Sequence, residues 1–210
     1  SRLRNRKSEL PLGSCIMART KAFNPEEKLT VAMMQFWQHG YDGTSLQDLV
    51  DVMGINRFSI YNTFGDKEAL FFKSLKHYTT QIFEPLTGPL LADGPGMQRI
   101  QRYFLNLSTI LAAGVIKSGC FMQNAVQEAS VTNPEVRPYV ASVFDRLRQG
   151  FIGALQDAEK AGELTVVLDS EGAAEFLLMQ VQALIVSQRQ VSPEQLQANT
   201  AFLLEDIARW

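Results

Sequence analysis

The stretch Thr44-Ser45-Leu46-Gln47-Asp48-Leu49-Val50-Asp51-Val52-Met53-Gly54-Ile55-Asn56-Arg57-Phe58-Ser59-Ile60-Tyr61-Asn62-Thr63-Phe64-Gly65-Asp66-Lys67 decides the fold. Thr44 is a helix cap, and Gln47, three residues on, completes a capping box. Leu46, Leu49, Val50 and Met53 recur at helical spacing and give that helix one apolar face. Gly54 stops it after little more than two turns, because a left-handed residue at a helix end is easiest for glycine. Asn56 then caps a second short helix through about Phe64, with Ile60 and Phe64 facing inward, and Ile55 packs back across the Gly54 cap. Gly65-Asp66 breaks the chain again and Lys67 opens another helix, with Leu70, Phe71, Ser74 and Leu75 on one side.

Upstream, Asn24 caps a helix whose first residue is Pro25, with Glu27 placed to complete a box. Leu29, Met33, Phe36 and Trp37 form its buried stripe, Gly40 ends it, and Tyr41-Asp42-Gly43 is the turn. Three short helices separated by glycine turns, the last two joined by Gly54-Ile55-Asn56, make a helix-turn-helix pattern. The third is about eight residues long, short enough to enter a major groove that admits one helix. Its outer face carries Arg57, Phe58, Ser59, Tyr61, Asn62 and Thr63, groups suited to base edges and phosphates. A small three-helix core with a polar surface has the same spacing, so spacing alone leaves function open.

Downstream, helical periodicity continues. Ile100, Phe104, Leu107 and Leu111 are in register over 96–111, and 112–119 reads as a loop. Helices follow over about 120–130, from Asn133-Pro134 to about Ala161 with an irregular start or kink at Pro138, over 170–188, and over 193–208. Ser192, Pro193 and Gln195 mark the start of the last. No element is assigned between Tyr78 and Gly96. Strand signals are nearly absent, so the expected fold is all-α with about nine helices.

The chain has 210 residues, 46% of them apolar and 20% charged, which excludes disordered and fibrous classes. Its net charge of −2 argues against a nucleic-acid binder when taken whole. Residues 1–78 carry 11 Lys/Arg against 8 Asp/Glu, and residues 79–210 carry 9 against 14, a basic head on an acidic body. Residues 1–16 hold 4 of those cations and 1 Glu, and without them the head is neutral. They read as a flexible extension. Cys15 and Cys120 are too few for a disulfide framework, no zinc spacing occurs, and His39 and His77 stand alone. These features fit a reducing cytosol, and no uncharged apolar run is long enough for a membrane span.

Thr44 to Val50 followed by Met53 to Phe71 closely resembles the DNA-binding domain of the TetR (tetracycline repressor-like) family. The resemblance covers about residues 25–72, and Met17-Ala18-Arg19-Thr20-Lys21 is similar to a family start. It implies a domain at 17–72 that binds double-stranded DNA, and a ligand-binding and dimerisation domain at 73–210. It implies that Thr44 at a helix N-terminus, Tyr61 and Lys67 approach phosphates, that Ser45 is among the DNA-binding residues, and that Arg57, Phe58, Ser59 and Asn62 lie in the groove. Phe58 departs from the small or polar residue usual in the family, and a thymine methyl or a sugar is its expected neighbour. The implied protein is a nucleoid-associated, cytoplasmic regulator, a homodimer on a palindromic operator, released by a small-molecule effector, with no cofactor and no membrane contact.

The pocket candidates are Phe104, Leu107, Leu111, Cys120, Phe121, Met122, Asn124, Gln127, Tyr139, Phe144 and Met179. Apolar walls with a few amides and a phenol suit a small, mostly hydrophobic effector, and the acidity of this part favours a neutral or cationic one. The dimer candidates are Phe176, Leu177, Gln180 and Leu184, with Leu196, Thr200, Leu203 and Ile207, two helices that can form half of an intermolecular bundle. Phe71, Leu75 and Tyr78 are placed to pass coupling between the two parts. Cys120 follows Ser118-Gly119 at an expected helix start, where a dipole lowers a thiol pKa, so a thiol-sensing repressor is an alternative, beside a plain packing role. A helical enzyme or small-molecule carrier is a further alternative, although no Ser/His/Asp or Cys/His set stands out, and a protein-interaction domain is a third.

Overall fold

In the computed structural model, which describes residues 23–128 and 132–210, the capping residues set the boundaries of the N-terminal helices. Asn24, Ser45, Asn56 and Asp66 each accept a backbone N–H of the first turn of α1 (Pro25–His39), α2 (Leu46–Met53), α3 (Arg57–Phe64) and α4 (Lys67–Tyr78). Residues 1–22, including the expected extension, the family-like start and Cys15, lie outside the described residues. Gly54, at φ 63°, closes α2 in the left-handed conformation. Ala32, Met33, Phe36, Leu49, Met53, Ile60, Phe64 and Leu70 are buried and form the core of this part.

Two capping details differ from expectation. The α2 cap is Ser45, which forms a reciprocal box with Asp48 rather than Thr44 with Gln47. In α1, Asn24 accepts from Glu26 N, and Glu27 receives the Asn24 side-chain amide instead of its backbone N–H.

Residues 79–95, assigned no element from sequence, are mostly helical. α4 runs without a break through a π-helical turn, Thr79–Phe83, into α5 (Glu84–Leu91). The cause is Pro85, which has no N–H to give and crowds the carbonyl four residues back. A turn widened by one residue, with Glu84 N–H donating to Thr79 O, accommodates it.

The rest is α6 (Gly96–Ala112), α7 (Phe121–Gln127), α8 (Val136–Lys160), α9 (Ser170–Ser187) and α10 (Pro193–Ile207), with no strand among the described residues. α8 starts at Val136, so Pro138 falls in the first turn, where backbone N–H groups have no intrahelical partner. The expected kink at Pro138 is therefore absent. α6 packs against α5, α8 and α10. A Cβ at Gly96 would lie 2.0 Å from Ala154 O, so only glycine permits this approach of α6 to α8. The start of α6 is capped from a distance: Glu163 accepts from the Gly96 and Met97 amides at 3.0 Å each. Buried Arg99 pairs with Asp157 at 2.6 Å and donates to Ala92 O at 3.1 Å, fixing α5, α6 and α8 together.

Candidate nucleic-acid interface

α3 is anchored by Ile60 and Phe64, both buried, and Lys73 donates to Phe64 O at 2.8 Å, closing its C-terminal end. That leaves Arg57, Phe58, Tyr61 and Asn62 exposed on one face, positions i, i+1, i+4 and i+5 of a single helix. Ser59 and Thr63 are half-buried at its edge. The first side chain of this face is oriented from α2. Arg57 Nη2 donates to Gln47 Oε1 at 3.1 Å, and Gln47 Nε2 donates to Asp51 Oδ1 at 2.8 Å. Gln47, expected to serve as a capping residue, instead positions the Arg57 guanidinium.

The N-terminus of α2 lies beside this face. Ser45 is exposed, and its Oγ accepts from Asp48 N at 3.1 Å while Asp48 Oδ2 accepts from Ser45 N at 2.7 Å. The Ser45 hydroxyl, which also donates to Asp48 Oδ2 at 2.6 Å, and after it the Ser45 N–H hold the Asp48 carboxyl below its ordinary pKa. Thr44 does not have its expected place at the surface. It is fully buried, and its hydroxyl donates to Gly40 O at 2.7 Å, so it fixes the α1–α2 turn and leaves the helix start to Ser45. Lys67 is half-buried at the start of α4 with its ammonium 4.1 Å from the Tyr41 ring centre.

The reading head is fastened to the rest of the chain through α7. The Trp37 indole N–H donates to Gly119 O at 2.7 Å within the core. The Trp37 ring meets Tyr78 edge-on at 4.9 Å, and Tyr78 and Phe71 both pack edge-on against Phe121. At the other end of α7, the Glu128 carboxylate accepts from Tyr41 N at 2.5 Å and Asp42 N at 3.1 Å. Of the expected coupling residues, Phe71 and Tyr78 therefore touch α7 directly, and Leu75 is buried beside them. Trp37, Gly119 and Glu128 were missed. The indole was read only as part of an apolar stripe, and no local pattern links Glu128 to a turn 86 residues earlier.

The expected pocket residues do not surround one cavity. Phe104, Leu107, Leu111, Phe121 and Met122 are packed in the core, Phe104 stacking on Phe151 at 5.9 Å. Met179 is 63% exposed on the outside of α9. Phe144 packs edge-on to Phe83, and the Tyr139 hydroxyl bonds to Thr79 Oγ1 at 2.9 Å beside the π turn. Cys120, Asn124 and Gln127 do come together, lining a cavity of about 210 Å³ between α7 and α9 with Gln123 and Arg189. Cys120 caps α7, but burial pushes its thiol above the ordinary value, outweighing backbone N–H groups that act the other way. This direction is opposite to the one expected from the helix dipole.

The expected dimer residues divide. Leu177, Leu184, Leu196, Thr200, Leu203 and Ile207 are buried within the chain's own core, and Gln180 is half-buried. The outward apolar face consists of Phe176, itself one of the expected residues, with Met179, Ala183 and Val186 of α9 and Phe202 of α10, which is 75% exposed. Apart from Phe176 and the half-buried Gln180, the residues chosen from sequence belong to the inward side, because helices packed on a core bury their most regular stripe first. No group of three or more His, Cys, Asp or Glu among the described residues could hold a metal ion, and no helix there is long and apolar enough to cross a membrane.

Comparison with known proteins places this geometry in a family. Residues 29–73 match the bacterial regulatory proteins of the tetR family, and residues 96–201 match the tetracyclin repressor-like C-terminal domain. The chain is 32% identical over 148 residues to the uncharacterized HTH-type transcriptional regulator YezE of Bacillus subtilis (strain 168), covering 70% of this chain and 76% of that one. It is 29% identical over 176 residues to the HTH-type transcriptional repressor ComR of Escherichia coli (strain K12), covering 82% of each. Among solved structures, it superposes on the TetR family regulator CifR, a cysteine mutant complexed with double-strand operator DNA, with a TM-score of 0.79 at 26% identity. That match covers 89% of this chain and 98% of CifR.

Proposed function

Because the chain belongs to the TetR family of DNA-binding transcriptional regulators and is not an enzyme, we propose that it is an effector-released repressor that reads its operator through Arg57, Phe58, Tyr61 and Asn62. The observation that carries this is the single exposed face of α3, with Arg57 already oriented by Gln47. Ser45 and the first turn of α2, Lys67 and the Tyr61 hydroxyl take phosphates, which fix the register in which α3 enters the groove. Ser59, at the edge of the face, adds a hydroxyl contact. Thr44 acts from inside, by holding the turn that presents Ser45.

The operator is palindromic and the protein acts as a homodimer. Support comes from the outward face of α9 and α10, where Phe176, Met179, Val186 and Phe202 expose apolar surface on two adjacent helices. Two-fold symmetry sets the two recognition helices about 34–36 Å apart, one turn of DNA. The effector is a small neutral molecule that enters between α7 and α9, beside Asn124 and Gln127. Displacing α7 disturbs the contacts from Gly119 to Trp37 and from Glu128 to Tyr41 and Asp42, and so re-aims α1 to α3.

The test is an anisotropy titration of DNA from upstream of the protein's own gene, alongside operators selected from a random duplex library. Tight binding to one palindromic class, weakening steeply with salt, is expected; Lys67→Ala lowers affinity for all sequences alike and reduces the salt slope by about one. Selection that returns no enriched sequence overturns the reading. A thermal-shift ligand screen followed by operator release tests the effector.

A further inference from the structure

Phe58 is 74% exposed at the beginning of α3, in a helix whose other two aromatic residues are an inward Phe64 and a Tyr61 with a polar tip. Among the described residues none covers it, whereas buried phenylalanines such as Phe36, Phe71 and Phe151 pair with other rings. An exposed phenyl ring gains little in water. It is flanked on its own face by Arg57, Tyr61 and Asn62, the groups proposed above to enter the groove. In the major groove the base edges are almost entirely hydrogen-bond donors and acceptors, and the exception is the C5-methyl of thymine. A phenyl ring carried there has one apolar base partner.

We propose that Phe58 is a specificity-determining residue that packs on a thymine methyl, so that each operator half-site carries a required thymine opposite the first turn of α3. The geometry adds a reason for placement. Arg57 precedes Phe58 and is tethered to Gln47 on α2, so the first turn of α3 presents a fixed guanidinium and a phenyl side by side. Arginine pairs best with guanine O6 and N7. The half-site therefore contains a guanine next to or one step from the thymine that Phe58 covers. This assignment rests on the operator-binding reading, and it is tested separately from it.

The probe is an operator selected from a random duplex library, in which each thymine in turn is replaced by deoxyuridine. That change removes one methyl and leaves every hydrogen-bonding group. At one symmetry-related pair of positions the replacement weakens binding by about four-fold per half-site, the worth of one buried methyl. All other thymines tolerate it. Phe58→Ala, whose side chain is exposed and whose removal leaves the fold intact, binds more weakly and no longer distinguishes thymine from uracil at that pair. Phe58→Leu, still apolar, retains part of the discrimination, and an unchanged circular dichroism spectrum and Tm show that each variant is folded. The proposal is overturned if no uracil replacement matters, if the discrimination survives Phe58→Ala, or if Phe58→Ala weakens binding while every thymine stays replaceable, which would put the ring on sugar or on protein. Failure to select any operator would instead sink the DNA-binding reading itself.

Discussion

Trp37→Phe removes one buried hydrogen bond between the DNA-reading helices and the C-terminal domain while retaining an aromatic ring. The indole N–H donates to Gly119 O at 2.7 Å, and Trp37 is 5% exposed, so the carbonyl left behind has no water to replace its donor. An unsatisfied buried acceptor costs about 1–3 kcal/mol. The missing part of the indole, which packs edge-on against Tyr78 at 4.9 Å, leaves a small void worth about 1 kcal/mol more. The expected loss is about 2–4 kcal/mol. For a chain of this size, that lowers Tm by about 4–16 °C, at about 2–4 °C per kcal/mol. The assay is thermal and urea unfolding followed by circular dichroism, with Trp37→Leu as a comparison that also removes the ring contact. A second measurement, hydrogen exchange, locates the loss: amides at the end of α1 and the start of α7 exchange faster, while α9 and α10 do not. A Tm within 1 °C of the parent, or protection lost evenly over the chain, would refute the argument that this bond joins the two parts.

Four further outcomes are expected. Glu128→Gln keeps the shape but replaces charge-assisted acceptance from Tyr41 N and Asp42 N by a neutral amide, and lowers stability by about 1–2 kcal/mol in urea titrations; an unchanged midpoint would show that the contact is idle. Phe202→Glu combined with Met179→Glu, on the outward α9–α10 face, yields a folded monomer by light scattering, and a retained dimer would place the interface elsewhere. Cys120 reacts with a thiol reagent at pH 8 far more slowly in the native protein than in denaturant, since burial raises its pKa and blocks access; equal rates would restore a sensing role. Asp48 has a folded pKa below its ordinary value of 3.8, so its contribution is fully present above that value and is lost as pH falls through the folded pKa. In an NMR titration, Ser45→Ala moves the Asp48 midpoint up toward the ordinary value, and an unmoved midpoint would mean that the capping box is not its cause.

The reading head was legible because its signals are local. Asn56, Gly54 and the inward pair Ile60 and Phe64 act within one or two turns, so the composition around them is enough to specify α3 and the face it exposes. The C-terminal domain was legible as helices but not as surfaces. Periodicity at Leu196, Thr200, Leu203 and Ile207 identifies one buried side of a helix, and it does not say whether the burying partner is the same chain or a copy. Likewise Phe104 and Phe121 have the composition of a pocket wall, yet the neighbouring Tyr103, Phe151 and Phe71 fill the space around them. Residues 79–95 received no element from sequence, and the chain absorbs Pro85 there by widening one turn of a continuous helix.

Near neighbours along the chain suffice for the all-α architecture, the helix-turn-helix and the residues that α3 presents, since capping, glycine turns and inward spacing act within a turn or two. Tertiary structure decided everything that depends on which helix meets which. It buried Thr44 and gave the α2 cap to Ser45, turned the regular stripe of α10 inward, raised the Cys120 thiol by taking it out of water, and brought Glu128 to the Tyr41 turn. Burial and electrostatics are properties of the assembled core, and residues far apart in the chain share in them only after the helices have packed.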